Sequence, residues 1–364
     1  MNIQQVNNIL EELAPLTYAE DFDNVGLLVG NVDTEVTGIL VTLDTLENVV
    51  DEAIAKKCNL IVSFHPIIFT GLKKLTGTSY VERTVIKAIQ HNIGIYSMHT
   101  ALDNVPHGVN GKICEVLGLK NTKILVPKKG TIKKLSTYVP TADAVMLKEA
   151  LFKAGAGNIG NYSNCSFTTD GTGSYKAGKN ATPTKGKIGK THYEEETQIN
   201  VTYRKANEKK VLDALFQSHP YEEVAYEIFK LDNTDQKKGM GMTGDLERPM
   251  SEEEFLKLVK DKMRVSVIKH SRLLGKKIKT VAVLGGSGSF AISAAKSANV
   301  DIFITADLKY HQFYEAENKM VIADIGHYET EQFTKNLLVD HLTKKIPNFA
   351  ISLSESITNP IKYF

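Results

Sequence analysis

Three short apolar runs early in the chain, separated by stretches of helical periodicity, narrow the fold more than any other feature. Gly38 to Asp44 ("GILVTLD"), Leu60 to Phe64 and Ile93 to Met98 read as buried strands. Leu46 to Lys57 and Val81 to His91 lie between them and repeat their apolar residues at helical spacing. Parallel strands need a crossover connection, most often a helix, so this alternation predicts βαβ units and a mainly parallel sheet. The rhythm returns near the other end. "VAVLGG" (Val281 to Gly286), "DIFIT" (Asp301 to Thr305) and "MVIAD" (Met320 to Asp324) read as strands, with helices at Phe290 to Ala298 and between the last two strands. A long amphipathic helix is predicted from about Thr330 to Lys345.

The middle of the chain follows another pattern. From about Lys133 to Leu231 it reads as strand, helix, irregular loop, strand, helix, strand. "KLSTYVP" begins it, "AYEIFKL" closes it, and the loop "TTDGTGSYKAGKNATPTKGKIGK" is rich in Gly, Thr and Lys. The helices, Asp143 to Ala154 and Ala206 to Ser218, precede the turn signals "GAGNIG" and "HPYEE". That is a split βαβ, ferredoxin-like pattern. The fold class expected is therefore α/β: two βαβ-type halves forming one core, with an inserted ferredoxin-like α+β domain. Residues 1–128 would form the first half of the core, 129–243 the insertion and 244–364 the second half.

Bulk properties exclude several classes. Lys and Arg number 44 against 42 Asp and Glu, a balance that lacks the electrostatic grip of a nucleic-acid binder. The amino-terminal "MNIQQVNNILEEL" is an amphipathic helix pattern without the basic start and apolar stretch of a signal peptide. No apolar run approaches the ~20 residues of a membrane span. Cys58, Cys114 and Cys165 are scattered and odd in number, so disulfides are not expected. A cytoplasmic protein is the expectation.

In a parallel sheet, ligand-binding residues gather beyond the carboxyl ends of the strands. His65 stands there after the second strand, and "HTALD" offers His99 and Asp103 after the third. Asp307 follows "DIFIT", and "DIGHYETE" follows "MVIA". If a helix begins near His327, then His327 and Glu331 project from one face, a spacing suited to a divalent cation. Each residue also has a plainer reading. His65 could be a satisfied core histidine, Asp103 an Asx turn into "NVPHG", and the acidic cluster at His327 a response to the helix dipole. Candidate residues at several strand ends together favour metal, with His65, Asp103, His327 and Glu331 as ligands. Nitrogen and carboxylate donors allow zinc first, and also iron, manganese or cobalt. His99 and His107 are candidates to orient a ligand. Asp307 and His311 suit substrate contact or proton transfer better than ligation, and with Glu331 they form the catalytic candidates. His219 belongs to the insertion, away from this chemistry.

"GSGSFA" (Gly286 to Ala291) offers a rival. It fits G-x-G-x-x-A between a strand and a helix, as in dinucleotide sites, with Asp307 about twenty residues on. The acidic residue falls two positions late, and the loop could equally hold a substrate phosphate on its amides.

These motifs coincide with those of a known family. "AEDFDNVGLLVG", "IVSFHPIIF", "HTALDNVPHGVNG", "VAVLGGSG", "ITADLKYHQ" and "IADIGHYETE" occur in family order along essentially the whole chain. The chain thereby resembles the Nif-three-like proteins, often labelled GTP cyclohydrolase type 2 homologues. Its middle segment looks like the PII/CutA-like domain of the longer bacterial members. The resemblance implies one or two divalent ions per subunit and a homohexamer built as a trimer of dimers. His65, Asp103 and Glu331 would hold one ion, and His327 with Glu331 the second. Where the family usually has a further histidine for that second ion, this chain has Phe64; its usual tryptophan in the first motif is replaced by Phe22. Phe64 leaves the second position one nitrogen short. Two functions stay open: a metal-dependent hydrolase of a nucleotide, phosphoester or cyclic amide, and a non-enzymatic metal-binding, delivery or ring-scaffold protein whose insertion senses a small molecule.

Overall fold

The apolar runs become strands because their side chains are buried on both faces of a sheet. In the computed structural model, which describes residues 1–364, the three early strands are buried at every position. Parallel strands covered by helices on both sides require this. The first part of the chain holds α1 (Ile3–Leu13), β1 (Gly26–Val29), β2 (Ile39–Thr42), α2 (Glu47–Ala55) and β3 (Leu60–Ser63). It continues with α3 (Tyr80–Gln90), β4 (Gly94–Ser97), α4 (His99–Asp103), α5 (Val109–Leu117) and β5 (Lys120–Pro127). The middle holds β6 (Ile132–Pro140), α6 (Ala144–Lys153), β7 (Phe167–Lys176), β8 (Thr191–Arg204), α7 (Glu208–Ser218) and β9 (Tyr226–Lys230). The last part begins with β10 (Gly239–Ser251), α8 (Glu252–Lys262), β11 (Lys269–His270), β12 (Lys277–Ser287) and α9 (Ile292–Ser297). It ends with β13 (Ile302–Ala306), β14 (Val321–Asp324), α10 (His327–Glu331), α11 (Thr334–Lys345) and β15 (Ile351–Leu353).

The chain forms two units, Met1–Pro127 with Gln236–Phe364, and Lys128–Asp235. In the first, one sheet runs β1-β4-β3-β2-β15 and the other β11-β14-β13-β12-β10-β5. Strands β2, β3 and β4 are parallel, as are β12, β13 and β14. Each sheet is completed from the opposite end of the chain. β15 pairs with β2 in the first, and β5 pairs with β10 in the second. The two halves therefore interlock, each with its own apolar cluster, around Leu40, Ile61 and Ile95 in one and Ala282, Phe303 and Ile322 in the other.

The second unit is an antiparallel sheet ordered β7-β8-β6-β9. Its core joins Leu147 and Leu151 of α6 and Val211 and Leu215 of α7 to Leu135, Ile199 and Val201.

Three local expectations are corrected. The Gly- and Thr-rich stretch predicted as irregular loop begins with β7, which pairs with β8 from Phe167↔Asn200 to Lys176↔Thr191. Nearly all of β7 is exposed, so it has no inward face to imprint a period of two. The helix predicted from Thr330 to Lys345 is split at Gln332 and Phe333. There the Gln332 amide donates to the Met263 and Glu329 carbonyls. Between β13 and β14 the helix is a 3₁₀ segment, Tyr310–Ala316. The three cysteines are free, and no helix is long and apolar enough to cross a membrane.

Candidate metal centre

The carboxyl ends of parallel strands from both sheets deliver polar side chains to one place. Asp44 follows β2, His65 follows β3 and His99 opens α4 after β4. From the other sheet, Asp307 follows β13 and His327 opens α10 after β14. Glu331 stands one turn beyond His327, so helical geometry stacks both on one face. His65 Nε2 lies 3.1 Å from Glu331 Oε2, and His327 Nε2 lies 3.2 Å from the same oxygen. The ligand-capable atoms of these three residues all fall within 4.8 Å of one another.

Glu331 is only 4 % exposed, yet its Oε2 accepts no properly aligned hydrogen bond. A buried carboxylate oxygen without a partner is costly and uncommon. Two imidazole nitrogens facing it fit a shared cation better than a shared proton. The Nδ1 atoms are already engaged: His65 with Asp44 Oδ1 at 2.8 Å, His327 with Asp307 Oδ2 at 2.6 Å. That arrangement leaves each Nε2 for a metal, the usual carboxylate–histidine–metal pattern. Nitrogen and oxygen donors in this ratio fit zinc, iron, manganese or cobalt.

Charge balance agrees with the geometry. Burial opposes ionisation of Glu331, but the close approach of the His327 and His65 nitrogens, and their charge, outweigh it and hold the carboxyl down at about 2. Burial likewise opposes charge on His65, while Asp44 and Glu331 outweigh it and push the imidazole up to about 10. Glu331 and Asp307 overcome burial to raise His327 to about 9. The metal-free centre therefore holds protons that an incoming cation must displace.

Asp103 borders the centre. The residue is half-buried, but its Oδ1 is buried and unpartnered. Burial, then the charge of Glu331, raises its pKa well above the usual carboxyl value. It lies outside the set of three mutually close donors. His99 turns away to Asp23, with Nδ1 at 2.7 Å from Oδ1, and its ring meets His65 edge-on at 5.4 Å. Phe64 is fully buried with its ring centroid 4.9 Å from that of His65. His107 is exposed. His311 is also exposed, and its ring contacts are Tyr310 and Tyr314. His219 is a satisfied core histidine of the other unit, with Nε2 2.9 Å from the Tyr138 carbonyl.

The start of the glycine loop is tied into the protein. The Gly285 amide donates to Asn110 Oδ1 at 3.0 Å and the Gly286 amide to Thr330 Oγ1 at 2.9 Å. Those two donors are spent inside the protein, so they offer nothing to a phosphate. Gly286 instead makes room: a Cβ there would sit 2.5 Å from Glu331 Oε1.

Sequence reasoning missed Asp44 and Asp23, the partners of His65 and His99. Asp44 is the last residue of "GILVTLD", and the same strand-end logic that picked out His65 would have found it. Asp23, which also accepts from the Thr100 amide, had no local signal beyond its motif.

A profile of the Duf34/NIF3 (NGG1p interacting factor 3) family matches residues 1–360. A Bacillus subtilis (strain 168) protein named "GTP cyclohydrolase 1 type 2 homolog" is 36% identical over 373 residues, covering 100% of this chain and 99% of that protein. A Staphylococcus aureus (strain MSSA476) protein of the same name is 33% identical over 367 residues, covering 100% of both. Among solved structures, a Bacillus cereus protein related to NIF3 is similar with a TM-score of 0.82 and 34% identity, covering 100% of this chain and 99% of that one.

Proposed function

Because the chain belongs to the Duf34/NIF3 family, we propose that it is a divalent-metal protein acting as a metal-dependent hydrolase of a nucleotide, phosphoester or cyclic amide. One observation carries this reading: two histidines, His65 and His327, one from each sheet, converge on a buried Glu331 oxygen that accepts no properly aligned hydrogen bond. A bound divalent ion would supply Lewis acidity toward a phosphoryl or carbonyl oxygen and lower the pKa of water. The chain's own residues do the rest. Asp44 and Asp307 hold the Nδ1 sides of His65 and His327, which points each Nε2 inward. Asp103 offers one more buried oxygen beside the centre. His311, on the exposed segment after Asp307, is read as a residue for proton exchange with substrate.

A row of rings leads outward from the centre. His99 meets Phe69 at 6.1 Å, and Phe69 meets Phe22 at 6.4 Å. Phe22 and Phe69 are both exposed, and such tilted aromatic rings offer apolar contact to a planar ring. GTP, the compound in the relatives' name, is the first substrate to test.

Zinc is the leading ion, and Phe64 favours one ion per chain rather than two. The middle unit is read as a ferredoxin-like, PII/CutA-like module that binds a small molecule, supported by its β-α-β-β-α-β order. Assembly as a homohexamer, a trimer of dimers, in the cytoplasm completes the reading.

Phe64 also supports a second reading. Loss of a ligand is tolerable where no turnover depends on it, so a non-enzymatic metal-binding, delivery or ring-scaffold protein is the alternative. Turnover separates the two. Metal analysis and hydrolysis assays on a nucleotide panel are run on the unmodified chain and on Glu331→Ala. The hydrolase reading expects both metal and hydrolysis to fall in the variant. A metal-loaded unmodified chain with no turnover favours the alternative, and an unaffected variant removes Glu331 from the site.

A further inference from the structure

After β15 the chain does not leave the sheet; it runs on across the edge where the centre lies. The Ser354 amide donates to the Val41 carbonyl at 2.8 Å, extending the β15–β2 pairing by one bond. Glu52 of α2 then grips the next turn. Its carboxylate accepts from Ser354 Oγ at 2.7 Å, the Glu355 amide at 2.9 Å, and both the amide and Oγ of Ser356 at 3.1 and 2.7 Å.

Held in that path, the next residues reach both sides of the centre. Thr358, only 6 % exposed, donates its hydroxyl to Asp44 Oδ2 at 2.6 Å. The other oxygen of the same carboxylate faces His65 Nδ1 at 2.8 Å. Asn359 donates its side-chain amide to Glu329 Oε1 at 3.1 Å. Glu329 is buried within α10, the short helix that carries His327 and Glu331. Two adjacent residues, Thr358 and Asn359, thus touch the orienting partner of the ligand from the first sheet and the helix bearing the two ligands from the second.

We propose that residues 354–359 form a strap that completes the metal centre, with Thr358 as a positioning residue acting on His65 through Asp44. A carboxylate held by one oxygen can swing about its last bond, and the imidazole it steers swings with it. Held at both oxygens, Asp44 fixes the plane of the His65 ring and the direction of Nε2. Groups that hydrogen-bond a ligating histidine, as Asp44 does, change metal affinity by roughly 10- to 100-fold when removed, and Thr358 acts through that group. Asn359 then ties that half of the centre to α10, so ligands from two sheets keep one spacing. The inference rests on the metal reading above.

The test uses zinc alone as probe, with competition against a chromophoric chelator, on the full-length chain and on Thr358→Val and Thr358→Ser. Thr358→Val keeps the shape and loses the hydroxyl; it should weaken zinc binding about tenfold or more. Thr358→Ser should restore affinity to within about twofold. Cobalt loaded in place of zinc should give a visible spectrum altered in the valine variant and normal in the serine variant, a change that loss of stability alone would not produce. Equal affinity and spectra for all three proteins would overturn the strap, as would an equal loss in both variants. If the valine variant does not fold, Thr358→Ala against Thr358→Ser makes the same comparison. Failure of the unmodified chain to bind zinc would instead remove the metal reading, and the strap with it.

Discussion

Gly286→Ala would damage the centre through one methyl group, and the structure sets the size of the effect. The glycine has φ +69°, and an added Cβ would lie 2.5 Å from Glu331 Oε1 and 3.3 Å from His327 Nε2. Real Cβ contacts do not fall below 3.0 Å. The carboxylate must therefore retreat by about 0.5 Å or more, well beyond the ~0.2 Å tolerance of metal–ligand distances. The left-handed backbone adds a separate penalty of about 1–2 kcal/mol for any residue with a side chain. Two effects follow, and a control separates them. Gly118 has a similar φ of +73° and open space around its Cβ position, so Gly118→Ala carries the backbone strain alone. Urea unfolding of the metal-free proteins should find both variants destabilised by about 1–2 kcal/mol, Gly286→Ala slightly more. Zinc competition should find affinity lowered at least about tenfold in Gly286→Ala and unchanged in Gly118→Ala. If Gly286→Ala binds zinc as tightly as the unmodified chain, Glu331 is not a ligand in the arrangement described. If Gly118→Ala loses as much affinity, the effect belongs to stability and not to the carboxylate.

Two further outcomes are expected. Elemental analysis of the purified protein should find about one tightly held ion per chain, and Phe64→His should raise that number or the affinity; full occupancy of two ions in the unmodified chain would mean another side chain compensates for Phe64. The strap should also loosen in acid. Burial opposes ionisation of Glu52, but hydrogen bonds from Lys56, Glu355, Ser354 and Ser356 outweigh it and lower its pKa from 4.5 to about 2. A carboxyl depressed in the folded state stabilises fully above its unfolded pKa, so this contribution is present above about 4.5 and lost as pH falls toward about 2. Glu52→Gln should accordingly be less stable than the unmodified chain at pH 6 and equal to it near pH 2 in urea unfolding; a difference that persists at pH 2 would assign it to something other than the charge.

Much of this architecture is written locally. The alternation of apolar runs and helical periods identifies β2, β3, β4, β12, β13 and β14 because each buried strand or amphipathic helix records its own environment in its own residues. The position of His65 at a strand end and the spacing of His327 and Glu331 are local facts too, and they single out the three donor residues that the fold brings together. Strands without an inward face left no such record: β7 lies exposed, and its pairing is decided by β8. The completion of the centre was also beyond local reading. Asp44 and Thr358 are 314 residues apart and Asn110 and Gly285 are 175 apart, and neither pair carries a period or a spacing. Which oxygen meets which ring depends on β15 docking beside β2 and on the two sheets presenting their strand ends to one another. Such contacts depend on the summed packing of distant segments, which no window of sequence contains. The residue types for metal chemistry were set along the chain; their convergence on a single buried oxygen was decided by the tertiary fold.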